Sequence, residues 1–236
     1  MEKKSKLKRL INYFSKIELA IWLGSIVLII TAFFIFDRSN YLNMIASLIG
    51  TTSLIFCAKG NPFGQVLIIV FSSLYAYISF TFRYYGEMLT YLVMTLPMAV
   101  FSLISWLKNT YNGNRAEVKV NKITNKELIL AFPLTAIITL VFFFVLRYFN
   151  TPNLVVSTIS IATSFSAAYL TFKRCEFFAL CYALNDIVLI VLWTFATMTN
   201  IEYLSVVICF SVFFVNDIYT FLNWTRIKAR QGANNN

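Results

Sequence analysis

The sequence predicts an all-α integral membrane protein with about eight transmembrane helices, and three observations carry that expectation. Hydrophobic residues make up 59% of the chain and charged residues 13%, with mean hydropathy +0.72, far outside the range of a water-soluble domain. The apolar residues fall into eight runs, each near the roughly 17 to 25 residues that a helix needs to cross about 30 Å of hydrocarbon. Basic residues gather in alternate connections between the runs.

Residues 1–18, MEKKSKLKRLINYFSKIE, interleave lysines and Arg9 with Leu7, Leu10, Ile11 and Phe14 at three- and four-residue spacing. This is the pattern of a helix lying on an anionic membrane face, or of a retained basic flank. The first apolar run, residues 19–36, is too long for a signal-peptide core and reads as a retained span. Seven more follow at 42–58, 62–82, 88–107, 127–147, 154–171, 176–197 and 202–223. Gly60-Asn61-Pro62 reads as a tight turn, Pro97 as a kink in the fourth span, and Tyr84-Tyr85-Gly86-Glu87 as an outer turn whose acid could attract a cation. The longest connection, 108–127, is polar, basic and rich in Asn, and the tail RQGANNN reads as disordered.

With the N-terminus inside, seventeen of the twenty basic residues fall on the cytoplasmic side, leaving Arg38, Arg83 and Arg147 outside. A miscounted span would scramble that asymmetry, so both termini are expected in the cytoplasm. The excess of basic over acidic residues, 20 against 10, is absorbed by orientation, and no nucleic-acid partner is expected.

The halves resemble each other. At an offset of 114, Ala58-Lys59 falls near Phe172-Lys173, Phe63 on Phe177 and Ser72 on Asp186, while SWLK at 105–108 matches NWTR at 223–226 at an offset of 118. The four-residue drift is expected in the loop after the middle helix of each triplet. Units that start four spans apart enter the membrane in the same direction, so they form two parallel three-helix repeats joined by a linker helix, in a 1+3+1+3 plan. The divisions are then 1–39 for the basic flank and first helix, 40–108 for the first repeat, 109–150 for the loop and linker, 151–226 for the second repeat and 227–236 for the tail.

Cys57, Cys175, Cys181 and Cys209 lie in or beside apolar runs without metal-ligand spacing, and the chain has no histidine. Neither a metal site nor a cofactor is expected, and an enzyme would need catalytic groups that this pattern lacks. The costly groups are Asn185-Asp186 and Asn216-Asp217, since a carboxylate at mid-bilayer costs about 3 kcal/mol on insertion scales. A span starting near Glu176 puts Asp186 about 15 Å deep, near the midplane, with Ser72 at the matching level, whereas Asp217, about 22 Å from the outer side, lies nearer the cytoplasm. Asn185, Asp186 and Ser72 are therefore candidates to line a site between the repeats. Tyr182, Leu189 and Trp193 continue the same stripe and offer rings for stacking. Asn216, Tyr219 and Asn223 share one face of the last span, and Asp217, Thr220 and Trp224 the adjacent one, with Trp224 read as an interfacial anchor.

Lys173-Arg174 followed by Glu176, the helix reaching Asn185-Asp186, and FVNDIYTFLNW at 214–224 with Arg226 together resemble the PnuC family of bacterial vitamin transporters over residues 40–228. Phe178 and Cys181 stand where the family often has two tryptophans three residues apart. The resemblance implies a SWEET-like fold, a homotrimer in the plasma membrane, and uptake of nicotinamide riboside by facilitated diffusion with intracellular trapping by a kinase. It further implies that Asn185, Asp186, Asn216, Asp217 and Tyr219 lie on the substrate path. Thiamine, riboflavin and small sugars remain alternative substrates, and a membrane-embedded enzyme or assembly subunit is the alternative class.

Overall fold

The computed structural model describes residues 13–81 and 85–233. Within them eight helices are long and apolar enough to cross a membrane: α1 Lys16–Phe36, α2 Tyr41–Ala58, α3 Phe63–Thr81, α4 Tyr85–Lys108, α5 Asn125–Tyr148, α6 Leu154–Phe172, α7 Phe178–Thr197 and α8 Ile201–Ala233. The expected surface helix over residues 1–18 lies largely outside the described residues, as do Tyr84 and Arg83. Eight crossings bring the starts of α1 and α5 to the same end as the last turns of α8. Lys59, Lys108, Lys173, Arg174, Arg226 and Lys228 are at that end, called here the basic end.

Helix starts are set by their first residues. Ser15 accepts from the Glu18 amide at 3.2 Å while Glu18 Oε2 accepts from the Ser15 amide at 2.7 Å, closing a capping box on α1. Thr124 and Glu127 repeat the arrangement on α5, at 3.3 and 3.0 Å. Each box glutamate is then ion-paired to the end of the neighbouring hairpin, Glu18 to Lys59 at 3.1 Å and Glu127 to Lys173 at 3.0 Å.

Packing follows the internal repeat. Within the halves α2 packs on α3 and α3 on α4, as α6 packs on α7 and α7 on α8, and the halves cross through α2 against α8 and α4 against α6. The helix before each triplet also takes an equivalent place, with α1 against α2 and α8, and α5 against α6 and the start of α4. The matched capping boxes extend the twofold relation to α1 and α5.

At the basic end the repeat closes on itself. Trp106 on α4 donates its indole N–H to Thr171 O at 2.9 Å, and Ser105 donates to Phe172 O at 2.8 Å. Trp224 on α8 donates to Cys57 O and Asn223 to Ala58 O, both at 2.8 Å. Each half therefore gives side-chain donors to the last carbonyls of the other half's first helix, as a second donor for Thr171 O and Cys57 O, which also accept from the Arg174 and Gly60 amides at 3.0 and 2.9 Å. Both rings are fully buried, which corrects the reading of Trp224 as an interfacial anchor.

Several local features differ from expectation. The 108–127 connection holds a two-stranded hairpin, β1 Thr110–Tyr111 and β2 Asn114–Val118, turned by Asn112 and Gly113 at φ +49° and +75°. The Val118 amide donates to Gly60 O at 2.9 Å, where a positive φ of +66° permits the close approach. α8 continues to Ala233 and does not end before the tail, because Gln231 is buried and donates to Val118 O at 3.0 Å. The fourth span begins at Tyr85, so Glu87 is helical and not in an outer turn, and a π turn at Thr90–Thr95 precedes Pro97. The loop after the middle helix of the first triplet, where the four-residue drift was expected, lies outside the described residues.

Candidate functional site

A cavity of about 180 Å³ lies between the halves. Its wall runs from Glu87, Thr151, Ser157 and Trp193, toward the end away from the basic one, to Tyr182, Asp186 and Asp217 in the middle of the bundle. Trp106, Phe178 and Trp224 close the bundle below it, with ring centroids 5.4 Å apart between the tryptophans and 4.8 Å between Phe178 and Trp224. None of the three lines the cavity.

Asp186 and Asp217 meet. They are 4% and 3% exposed, line the same cavity and interact with each other across it. Asp217 was expected nearer the cytoplasm, but the two are level because α7 starts at Phe178, putting Asp186 about 12 Å from the basic end, while Asp217 lies about 20 Å along α8 from Leu204. These lengths sum to roughly one hydrocarbon thickness. Asp186 Oδ2 and Asp217 Oδ1 have no hydrogen-bond partner among the described residues.

Around them, Asn185 Oδ1 accepts from Thr163 Oγ1 on α6 at 2.9 Å. Tyr182 and Trp193 also line the cavity, the latter packed on Tyr203 at 5.3 Å. Facing them, Phe71, Tyr75 and Tyr91 form an aromatic wall, with Phe71 and Tyr75 at 4.7 Å and Tyr75 and Tyr91 at 5.1 Å. Gly50 lets that wall close, since a Cβ there would come within 2.8 Å of Phe213 and 2.9 Å of Phe71.

Of the residues singled out from sequence, Tyr182, Asn185, Asp186, Trp193 and Asp217 come together on the wall. Asn216, Tyr219 and Ser72 do not. Asn216 Nδ2 donates to Ser25 Oγ on α1 at 3.0 Å, and the Tyr219 hydroxyl donates to Glu18 Oε1 at 3.2 Å. Their face of α8 is turned to α1, and Asp217, one residue on and about 100° around the helix, is turned to the cavity. Ser72 is buried with its hydroxyl bonded to Ile68 O at 2.8 Å, so its neighbours Ile68, Phe71 and Tyr75 supply the wall instead. Glu87, Tyr75, Tyr91 and the α6 serines 157, 160 and 164 line the cavity without having been singled out as site residues. The serine spacing of three and four residues was the available signal for α6. Phe178 is held in the tryptophan layer, and Cys181 faces a groove between α5 and α6. No group of three His, Cys, Asp or Glu able to hold a metal occurs among the described residues.

The profile of the nicotinamide mononucleotide transporter family matches residues 40–226. The nicotinamide riboside transporter PnuC of Neisseria mucosa is 28% identical over 219 residues, spanning 91% of this chain and 83% of that one. The protein of the same name from Haemophilus influenzae is 23% identical over 211 residues, 89% and 90% of the two chains. A crystal structure of the vitamin B3 transporter PnuC superposes with a TM-score of 0.79 over 92% of this chain and 94% of its own, at 24% identity, a likeness of fold.

Proposed function

We propose a function from one premise: this chain belongs to the nicotinamide mononucleotide transporter family, the PnuC family of membrane transporters. It takes up nicotinamide riboside by facilitated diffusion, and phosphorylation inside the cell traps the substrate. The family's activity is transport, which sets aside a membrane-embedded enzyme.

The supporting observation is the cavity between the halves, which combines rings, an amide and carboxyl groups at mid-bilayer and stops above a tryptophan layer. The pyridine ring stacks on Tyr182 or Trp193, and Asn185, Asp186 and Asp217 take the ribose hydroxyls and the ring's polar edge. Asn216 and Tyr219 hold α8 against α1, and Ser72 holds α3, so these three position the wall. Movement of the halves about their twofold axis opens the tryptophan layer as the other end closes. The basic end faces the cytoplasm of a bacterial inner membrane, in line with the charge asymmetry of the loops. The assembly is a homotrimer, a reading that rests on family resemblance and is checked by the mass of the solubilised particle.

Purified protein in liposomes should take up labelled nicotinamide riboside, saturably and down its gradient. Absence of that uptake, with clear uptake of thiamine or riboflavin, would sink the substrate assignment and keep the fold. One observation favours such a second vitamin: Phe178 and Cys181 present no ring to the cavity where relatives often carry tryptophans.

A further inference from the structure

We propose that Glu87, Asp186 and Asp217 make the cavity a charge filter, which accepts a flat organic cation and discriminates against the neutral molecule of the same shape. The inference rests on the transport reading above and deepens it by naming the property of the substrate that is recognised.

Three acidic side chains line the cavity, and no Lys or Arg is among its described lining residues. Two of the three are nearly sealed from solvent, and each has an oxygen with no donor. Two carboxyl groups sharing a buried site hold at most one full negative charge between them, and the oxygens left open accept from a hydrogen-bond donor or a positive charge. The surroundings decide which kind of charge. Phe71, Tyr75, Tyr91 and Tyr182 give ring faces, which hold a delocalised cation well and replace the water shell of an inorganic ion poorly. The absence of a metal-ligand cluster among the described residues fits the same choice. A pyridine ring whose nitrogen carries a sugar or a methyl group is such a cation.

Glu87 adds a direction. It lies in the first turn of α4, at the end of the cavity away from the tryptophan layer, so a cation arriving there meets Glu87 before the aspartate pair. Tyr75 of α3, Tyr91 of α4 and Tyr182 and Asn185 of α7 line the same cavity and are all neutral groups, which leaves the three acidic side chains as the source of charge in the site.

The test is a binding titration on the purified full chain, using two matched pairs of probes. Nicotinamide riboside is compared with its neutral dihydro form, and 1-methylnicotinamide, methylated on the ring nitrogen, with nicotinamide, in the wild type, E87Q, D186N and D217N. The wild type should prefer the cation of each pair by about tenfold or more. That ratio should fall to within about twofold in D217N or D186N and by about threefold in E87Q, any lost ribose contact weakening both members of a pair alike. E87Q, at the cavity end, keeps the test decisive if an aspartate variant fails to fold. Equal affinity for both members of each pair in the wild type, or a ratio unmoved by all the variants that fold, overturns the filter. Cation preference in the N-methyl pair without any riboside binding keeps the filter and removes the riboside assignment. Riboside binding in both charge states alike does the reverse.

Discussion

Trp106 and Trp224 stand 5.4 Å apart, and each gives its indole N–H to the carbonyl ending the first helix of the opposite repeat. The partner carbonyls, Thr171 and Cys57, are 114 residues apart and the tryptophans 118, the two offsets that relate the halves in sequence. The bonds are therefore matched between the two halves. W106F and W224F should each remove one bond, while Thr171 O and Cys57 O keep the backbone amides of Arg174 and Gly60 as donors, a loss of about 0.5–1.5 kcal/mol. The apparent melting temperature in detergent should fall by similar amounts in both. A large fall in only one would show that the two bonds are not equivalent.

The two matched glutamates should differ in what they contribute. Glu18 is 3% exposed and also accepts from Tyr219 and Ser15, although its partner Lys59 is 21% exposed, whereas Glu127 and Lys173 are each 25% exposed. With one partner partly solvated in each case, the ion pairs themselves contribute about 0–1 kcal/mol, and what sets Glu18 apart is its burial and the Tyr219 bond, worth about 1.5–3 kcal/mol for a hydrogen bond to a charged group. E18Q should lower thermal stability clearly and E127Q little. Comparable effects would mean that the capping boxes, and not the burial of Glu18 and its Tyr219 bond, dominate.

Thr163 offers a way to perturb the site without touching its wall. Its hydroxyl holds Asn185 Oδ1 at 2.9 Å, so T163V should free the amide to rotate. Affinity for the transported vitamin should weaken by about three- to tenfold, as for the loss of one orienting hydrogen bond, with the melting temperature little changed. Unchanged affinity would remove Asn185 from the contacts that matter.

Asp37, just past the end of α1, gives a pH dependence outside the membrane. Burial raises its carboxyl above the ordinary range, against a bond from Asn40 Nδ2 at 2.6 Å that favours the charged form. A raised folded-state value means that the folded chain holds the proton more tightly than the unfolded chain does. Its contribution is therefore complete below the ordinary value near about 4 and is lost as pH rises through the folded one. D37N should raise the melting temperature more at pH 7 than at pH 4. A shift that is independent of pH would contradict this.

Run lengths and the loop charges made the spans legible, and the price of a mid-bilayer carboxylate made Asp186 and Asp217 stand out. What could not be read was which neighbour each helix face meets. The period of α8 separates Asn216 and Tyr219 from Asp217, but only the packing of α1 on α8 decides that the first pair turns away from the cavity. A polar stripe on α1, Glu18, Trp22 and Ser25 at helical spacing, was the unused hint. Trp106 and Trp224 were aligned by the repeat, yet their bonds run to backbone carbonyls, which leave no mark in the choice of side chain. Glu87 was read as an acid that could attract a cation but was placed in an outer turn, because Tyr-Tyr-Gly-Glu has the composition of a turn, whereas Glu87 lies in the first turn of a helix.

The π turn at Thr90–Thr95 bears on how this family can diverge. A π turn is the footprint of a single inserted residue, which rotates everything before it by about 100° relative to a continuous α-helix. Glu87 lies before it and the tryptophan layer's Trp106 after it. Deleting one residue between Thr90 and Thr95 would leave the span long enough for the bilayer and the basic end undisturbed, while turning Glu87 off the cavity. Substrate range in such a chain can thus evolve by a one-codon change in length, with every wall residue retained.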